Sequence, residues 1–218
     1  MAFHSSPQSH PDVHPGCYNV VGTPPCDRLL VELGVSRVVV GCLDPDVRVA
    51  GLGANCLRSA GVAVEAGILE EEVRFSLRSY LHHRSTGRPH VLLKAARTID
   101  GSVCCVDGTS QWITGPASRA HAHRERACSQ AILIGSGTAL ADDPQLNVRG
   151  LADMAAVQQP LRVVLDSRGR VTSGHLMDTT TSPTLIVTCL ANVSPEALAT
   201  WKLHGVEVAN RSPTLFVS

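Results

Sequence analysis

Between Val91 and Arg149 the chain reads as an apolar strand, Val91-Leu-Leu-Lys-Ala-Ala-Arg97, a tryptophan-bearing loop, Ser110-Gln-Trp-Ile-Thr114, an Arg-rich helix at 115–128, and a second apolar strand that runs into Gly135-Ser-Gly-Thr138. The alternation continues as strands at 161–166 and 184–189, a helix at 194–204 and a strand at 206–209. Apolar runs of strand length separated by helix-period segments predict an α/β fold with a largely parallel sheet and helices packed on it. Elements in this order can lay a nucleotide against a sheet, which makes 91–149 the candidate site.

The first half repeats the layering on a smaller scale. Thr23-Pro24-Pro25 opens a helix through Leu29, Leu30 and Leu33 that stops at Gly34, since Thr caps, Pro suits a first turn and Gly suits a C-terminus. Arg37 to Cys42 then reads as a buried strand, Asp44-Pro45 as a turn, 55–60 as a short helix ended by Gly61, and 62–65 as a second strand. Glu70 to His83 reads as one amphipathic helix with Val73, Leu77 and Leu81 on one face and acids in its first turn. Ser85-Thr-Gly-Arg-Pro89 has the spacing of a linker. The expected organisation is a flexible lead-in over 1–16, a first domain over 17–84, a linker at 85–90 and a second domain over 91–218, with no internal repeat.

A chain of 218 residues with 44% apolar content has enough material for a packed core. Nineteen basic residues against nineteen acidic ones remove any global attraction to nucleic acid or an anionic membrane, so a bound phosphate has to be met locally. No apolar run approaches the roughly 20 residues that span a bilayer, and 1–16 lacks the apolar core of a secretory signal, so a cytoplasmic protein is expected. Cys42, Cys56, Cys104, Cys105, Cys128 and Cys189 lie in apolar or helical patterns and read as reduced thiols acting as small hydrophobes. Cys17 and Cys26 stand apart from them. The last residues, Ser212 to Ser218, place Leu215, Phe216 and Val217 with no cap or turn after them, as though a sheet were left with an open edge that invites pairing or self-association.

Within 91–149 the residue types suggest roles. Arg126 and Arg149 are permanent cations with planar donor forks suited to phosphate, although a solvated helix face and loop would also use them. Gly135 and Gly137 let backbone amides approach a dinucleotide, or simply form a tight turn. Asp142 accepts from a cofactor hydroxyl or amide, or stabilises the turn before Pro144. Trp112 stacks on a flat ring or fills core. Lys94, beside Ala95 and Ala96, faces a pocket as a candidate catalytic group or emerges into water.

The chain resembles the two-domain riboflavin-biosynthesis proteins that join a zinc-dependent pyrimidine deaminase to a nucleotide-dependent reductase. Gly22-Thr-Pro-Pro-Cys26, Asp44-Pro45, Gly87-Arg-Pro89, Leu93-Lys-Ala-Ala96, Asp100-Gly101, Trp112-Ile-Thr114 and Leu140-Ala-Asp-Asp-Pro144 carry the resemblance, which runs from Cys17 to Asp166. It implies a remnant of a cytidine-deaminase-like domain followed by a partial dihydrofolate-reductase-like domain, truncated at both ends relative to the family. It also implies reduction of the ribosyl group of 5-amino-6-(5-phosphoribosylamino)uracil with NADPH, where the protein positions donor and acceptor and the cofactor carries the chemistry. By position, Ala96, Trp112, Thr138, Asp142 and Ser167 correspond to cofactor contacts, and Ser110, Arg126, Leu146 and Arg149 to contacts with the phosphorylated pyrimidine. Arg168, after a strand, could meet a 2′-phosphate. The expectation is spatial: Trp112, Thr138 and Asp142 around one cleft, with Arg126 and Arg149 across it.

The deaminase half departs from the pattern. Such a site needs a His-x-Glu upstream of two cysteines. Cys17 and Cys26, with eight residues between them, match the family's cysteine spacing, but neither His10 nor His14 is followed two residues later by Glu, and the only His-x-Glu in the sequence, His123-Arg-Glu125, falls on the 115–128 helix and reads as coincidence. The zinc site is therefore incomplete and the deaminase half is expected to be inactive. A zinc-dependent deaminase, or a non-catalytic fragment that associates through its sheet edge, are the alternatives carried forward.

Overall fold

The structure, a computed structural model, describes residues 26–46, 49–110, 112–151, 154 and 157–211. The lead-in 1–16, Cys17, the Thr23–Pro25 helix start and the terminal run 212–218 lie outside the described residues. The chain divides into two compact units, Met1–Lys94 and Ala95–Ser218.

In the first unit α1 (Cys26–Glu32) leads through Gly34, in the left-handed region at φ 67°, to β1 (Arg37–Val40). The chain then passes α2 (Leu52–Ser59) and returns as β2 (Ala63–Ala66), which pairs parallel with β1 from Arg37 opposite Ala63 to Val40 opposite Ala66. The expected buried strand at 37–42 is shorter and only half covered, with Val38 and Val40 partly buried and Val39 52% exposed. A wholly apolar run suggests cover on both faces, yet only one face of this pair is packed among the described residues.

The single helix expected over 70–83 is two, α3 (Glu70–Ser76) and α4 (Arg78–Thr86), which meet at Leu77 where φ is −94° and ψ 11°. The break is mild. Leu77 N–H still donates to Val73 and Leu81 N–H to Leu77, both at 2.9 Å, so the apolar stripe survives the change of path. Val73 packs so closely against Gly41, at the end of β1, that a side chain there would overlap the valine.

The second unit holds four parallel strands in the order β3 (Ala131–Gly135), β4 (Leu161–Leu165), β5 (Thr184–Thr188), β6 (Glu207–Asn210). α5 (Pro116–Ala127) enters β3, α6 (Ser136–Asp142) leaves it, and α7 (Pro195–Leu203), capped by Ser194 Oγ, joins β5 to β6. The core gathers Val164, Ile186, Trp201, Leu176, Val171 and Leu146 between sheet and helices. Trp201 has no exposed surface and its indole N–H donates to Val171 O at 2.7 Å, so its large apolar area is buried without stranding a donor.

Three further expectations change here. Residues 91–97 form no strand, and Val91, Leu92 and Leu93 are 81%, 53% and 91% exposed. A strand exists only by pairing, and among the described residues nothing completes a ladder with this segment, however suitable its side chains. The stretch after it closes two Asp-Gly turns, Gly101 N–H donating to Thr98 and Gly108 N–H to Cys105, with both glycines at positive φ. Second, the expected glycine loop 135–138 is the start of a helix. Gly135 is its extended cap and Gly137 falls in the first turn, where glycine's weak propensity matters least, while Ala139, Leu140 and Ala141 carry the helix on. Third, Cys56, Cys104, Cys105 and Cys128 are exposed rather than packed as small hydrophobes; Cys189 is buried.

Candidate functional site

The carboxyl ends of parallel strands leave amides and loops facing one edge, and here β3 and β4 end side by side, Gly135 opposite Leu165. α6 leaves from the first and the turn Asp166–Gly169 from the second. Asp166 is fully buried and committed to shaping that turn: its carboxylate accepts from Val171 N–H at 2.8 Å and Arg168 N–H at 3.4 Å, and its carbonyl accepts from Thr188 at 2.6 Å. Ser167 and the exposed Arg168 are presented on it. Arg170 ties the two strand ends by donating to Ser136 Oγ at 2.7 Å. Thr138 and Asp142, four apart on α6, share one exposed helix face, and Ser110 Oγ donates to Asp142 at 3.4 Å.

The second cluster follows α6. Asp143 and Leu146, at φ 38° and 52°, are non-glycine residues in the left-handed region on either side of Pro144 and Gln145. Such conformations cost energy and persist only where the surroundings hold them. Asp143 does so through His175, whose N–H donates to its carboxylate at 2.8 Å and whose ring lies 2.9 Å from the other carboxylate oxygen. Leu146 is buried in the core, so it offers a ligand its backbone rather than its side chain. Gln159 then clasps the next residue, accepting from Val148 N–H at 2.7 Å and donating to Val148 O at 3.1 Å.

This bracing brings two arginines together. Arg126, from the last turn of α5, donates to Asn147 O at 2.7 Å, and Arg149 donates to Asn147 Oδ1 at 2.9 Å and Gln145 Oε1 at 3.2 Å. Burial, and after it the like charge of Arg149, push the Arg126 guanidinium below the ordinary arginine value. His123, one turn before Arg126, stands 3.4 Å from Arg126 Nη1 and accepts from Arg149 N–H at 3.3 Å. Burial and then the charges of Arg126 and Arg149 hold its imidazole below the usual histidine range. Two cations and a reluctant base held by neutral oxygens form an environment that an anion would relieve.

The other candidates are placed differently. Trp112 is 69% exposed, with the Arg119 guanidinium 4.4 Å from its ring centroid, so it fills no core. Ala96 is partly buried and Lys94 exposed, both in the stretch without regular structure. Cys26 is an exposed thiol at the start of α1, and among the described residues no group of three His, Cys, Asp or Glu side chains could hold a metal. A hollow of about 470 Å³ is lined by Thr172, Gly174, Asp178, Thr180 and His204, and one of about 240 Å³ by Cys42, Gly67, Glu70 and Arg74; neither includes a sequence-predicted site residue. The arginine pair, and separately Ser110 with Asp142, are thus brought together.

Sequence reasoning passed over Arg162 and Gln159, and read His123 only as part of a coincidental His123-Arg-Glu125. Arg162 lies mid-strand in β4 yet is 1% exposed, donating to the carbonyls of Asp178 at 2.6 Å, Ser182 at 2.7 Å, His175 at 3.0 Å and Gln145 at 3.3 Å. An arginine in an otherwise apolar run, Leu161-Arg-Val-Val-Leu165, was the available signal. For His123 the signal was its i, i+3 spacing to Arg126.

The model of the RibD C-terminal domain matches residues 89–210. The chain belongs to that family. Riboflavin biosynthesis protein RibD of Chlamydia pneumoniae is 47% identical over 187 residues, 84% of this chain and 50% of that protein. Its namesake in Mycobacterium tuberculosis is 47% identical over 153 residues, 70% of this chain and 45% of the other. Among solved structures, a diaminohydroxyphosphoribosylaminopyrimidine deaminase/5-amino-6-(5-phosphoribosylamino)uracil reductase from Thermotoga maritima superposes with a TM-score of 0.76 at 32% identity, over 92% of this chain and 54% of that one. Acinetobacter baumannii RibD does so with a TM-score of 0.75 at 38% identity, over 92% and 55%. The chain therefore spans about half the length of the RibD relatives it matches, and its α/β architecture with parallel sheets is theirs. No helix among the described residues is long and apolar enough to cross a membrane.

Proposed function

We propose that this chain serves riboflavin biosynthesis as an NADPH-dependent reductase that converts the ribosyl group of 5-amino-6-(5-phosphoribosylamino)uracil to a ribityl chain. The observation that carries the reading is the Arg126–Arg149 pair, two guanidinium forks braced by Asn147 and Gln145 where α5 meets the 145–149 loop. A phosphorylated sugar supplies the dianion such a pair suits, and both forks can engage it bidentately. The name of the Thermotoga maritima deaminase/reductase points to the same substrate class.

The residues present suit NADPH. The carboxyl ends of β3 and β4 stand side by side, Thr138 and Asp142 expose hydrogen-bonding groups along α6, and Ser167 and Arg168 project from the neighbouring turn. NADPH, when bound, supplies the hydride. The chain's own part is to hold the phosphate through Arg126 and Arg149, to orient polar substrate or cofactor groups through the Ser110–Asp142 pair, and to offer Trp112 as an exposed ring face. Ala96 and the backbone of Leu146 complete the proposed contacts, and Lys94 is the candidate catalytic group. Residues 17–84 are read as what this chain carries of a cytidine-deaminase-like domain, a reading supported by the parallel β1–β2 pair and by the likeness to the Thermotoga deaminase/reductase over 92% of the chain.

The test is substrate-dependent NADPH oxidation by the purified chain, with the Thermotoga maritima deaminase/reductase as the positive control. Oxidation that requires the ribosyl phosphate and disappears in Arg126→Ala supports the reading. A folded chain that binds neither NADPH nor substrate overturns it. A second reading, association through the sheet edge, is favoured by β3, whose outer side pairs with no described strand and leaves Leu133 60% exposed. Light scattering showing a monomer at all concentrations would remove it.

A further inference from the structure

His123, like Asn147, touches both arginines of the proposed phosphate site, and it does so through a single ring atom that defines its chemistry. Arg149 N–H and Arg126 Nη1 are both obligatory donors, and both meet the same ring atom, Nδ1, at 3.3 and 3.4 Å. A nitrogen that accepts carries no proton, so the ring must be neutral with its hydrogen on Nε2. Protonation at Nδ1 would break both contacts and place a third cation beside Arg126, from its own helix, and Arg149, from the loop. Burial, and then the charges of these two arginines, oppose its protonation. The histidine also joins separate parts of the fold: α5 carries His123 and Arg126, while the 145–149 loop carries Arg149. Without this shared acceptor, the loop backbone at Arg149 loses its tie to the helix.

We propose that His123 is a positioning residue of the anion site, a neutral acceptor at Nδ1 that fixes Arg126 against Arg149 so that both forks meet one phosphate monoester, with Nε2–H left as a further donor. This rests on the reading of the arginine pair as a phosphate site. The geometry limits the acceptable replacements. Asparagine places an amide oxygen near the Nδ1 position and can accept from both donors, whereas glutamine places its polar atoms near Nε2 and cannot.

The experiment is calorimetric titration of the full chain with ribose 5-phosphate and with ribose as the uncharged control, in wild type, Arg126→Ala, His123→Ala, His123→Asn and His123→Gln. The expected result is binding of ribose 5-phosphate and not ribose, loss of binding in Arg126→Ala, about tenfold weakening in His123→Ala and His123→Gln, and recovery of most of the affinity in His123→Asn. Wild-type affinity in His123→Ala, alongside loss in Arg126→Ala, overturns the role of His123 and leaves the phosphate site standing. His123→Asn as weak as His123→Gln overturns the acceptor argument. Equal affinity in wild type and Arg126→Ala overturns the phosphate site and this proposal with it. Long-range nitrogen–proton spectra of the wild-type imidazole give a readout independent of folding in the variants: the Nε2–H tautomer is expected, and the Nδ1–H tautomer would refute the assignment.

Discussion

Replacing Arg162 by methionine should destabilise the second unit far more than an ordinary strand substitution. The side chain is 1% exposed and spends both terminal nitrogens on main-chain carbonyls, Nη2 on Asp178 and Ser182 at 2.6 and 2.7 Å, Nη1 on His175 and Gln145 at 3.0 and 3.3 Å. A buried cation is costly to desolvate, and burial already pushes this guanidinium below its ordinary value, so methionine recovers part of that cost together with its own apolar burial. The carbonyls stay behind. The buried Ser182 O and the Asp178 O lose their short Nη2 contacts at about 1–3 kcal/mol each, while His175 O keeps a bond from Asp178 N–H at 3.3 Å and loses less. The desolvation recovered offsets roughly half, leaving a net loss of about 2 kcal/mol. Urea unfolding of wild type, Arg162→Met and Arg162→Lys would measure it, with lysine regaining about 1 kcal/mol because one ammonium reaches fewer carbonyls than a fork does. Since Gln145 holds Arg149, ribose 5-phosphate affinity should fall in Arg162→Met as well. A loss under about 1 kcal/mol in the methionine variant would refute the claim that these carbonyls depend on Arg162.

In the first unit, Gly41→Ala should cost about 1–3 kcal/mol by overpacking, because the new methyl overlaps Val73, and Gly41→Ala/Val73→Ala should recover most of it in the same unfolding assay. Tyr80 donates to Asp44 at 2.5 Å, and burial, together with that carboxylate, raises its hydroxyl to about 12. Its folded pKa lies above the unfolded value of about 10, so its contribution to stability is complete below that value and fades as pH rises toward about 12. An ultraviolet titration of wild type minus Tyr80→Phe should show the late ionisation; a difference curve centred near 10 would contradict it. Trp201→Phe should lose about 2 kcal/mol through the bond to Val171 O and the vacated volume, read as a lower thermal midpoint, and leave emission from the exposed Trp112 that acrylamide quenches readily.

The second unit was legible wherever a segment carries its own period and its own punctuation. Helix 115–128 and strands 131–135, 161–166, 184–189 and 206–209 were each expected within a residue or two of where they lie, because α5 begins at a proline, α7 is capped by Ser194, and the strands are β-branched runs of the right length. The failure at 91–97 has the opposite cause. Val91-Leu-Leu93 satisfies every local criterion for a strand, but a ladder is a property of two segments, and periodicity in one cannot show that the other is in place. The glycines at 135 and 137 misled for a related reason: a glycine's meaning depends on whether it caps a helix or interrupts one, and that is decided by the three residues after it.

The candidate site was half legible, and the division follows the chemistry of the residues. Arginine announces itself, since a permanent cation near a strand end has few roles, and Arg126 and Arg149 do converge. What makes them a pair is a set of neutral groups with no charge to announce them: the left-handed backbone at Asp143 and Leu146, the amide of Gln159 clasping Val148, the carbonyl of Asn147 and the ring of His123. Each is an ordinary polar or apolar residue until the 143–149 loop folds back on α5. A charged side chain can therefore be nominated from sequence, while the geometry that turns two like charges toward one anion is set by backbone strain and neutral acceptors. Substituting Gln159 or His123 by another neutral residue should therefore weaken anion binding without changing the net charge of the site, which a charge-only account of the arginine pair does not permit.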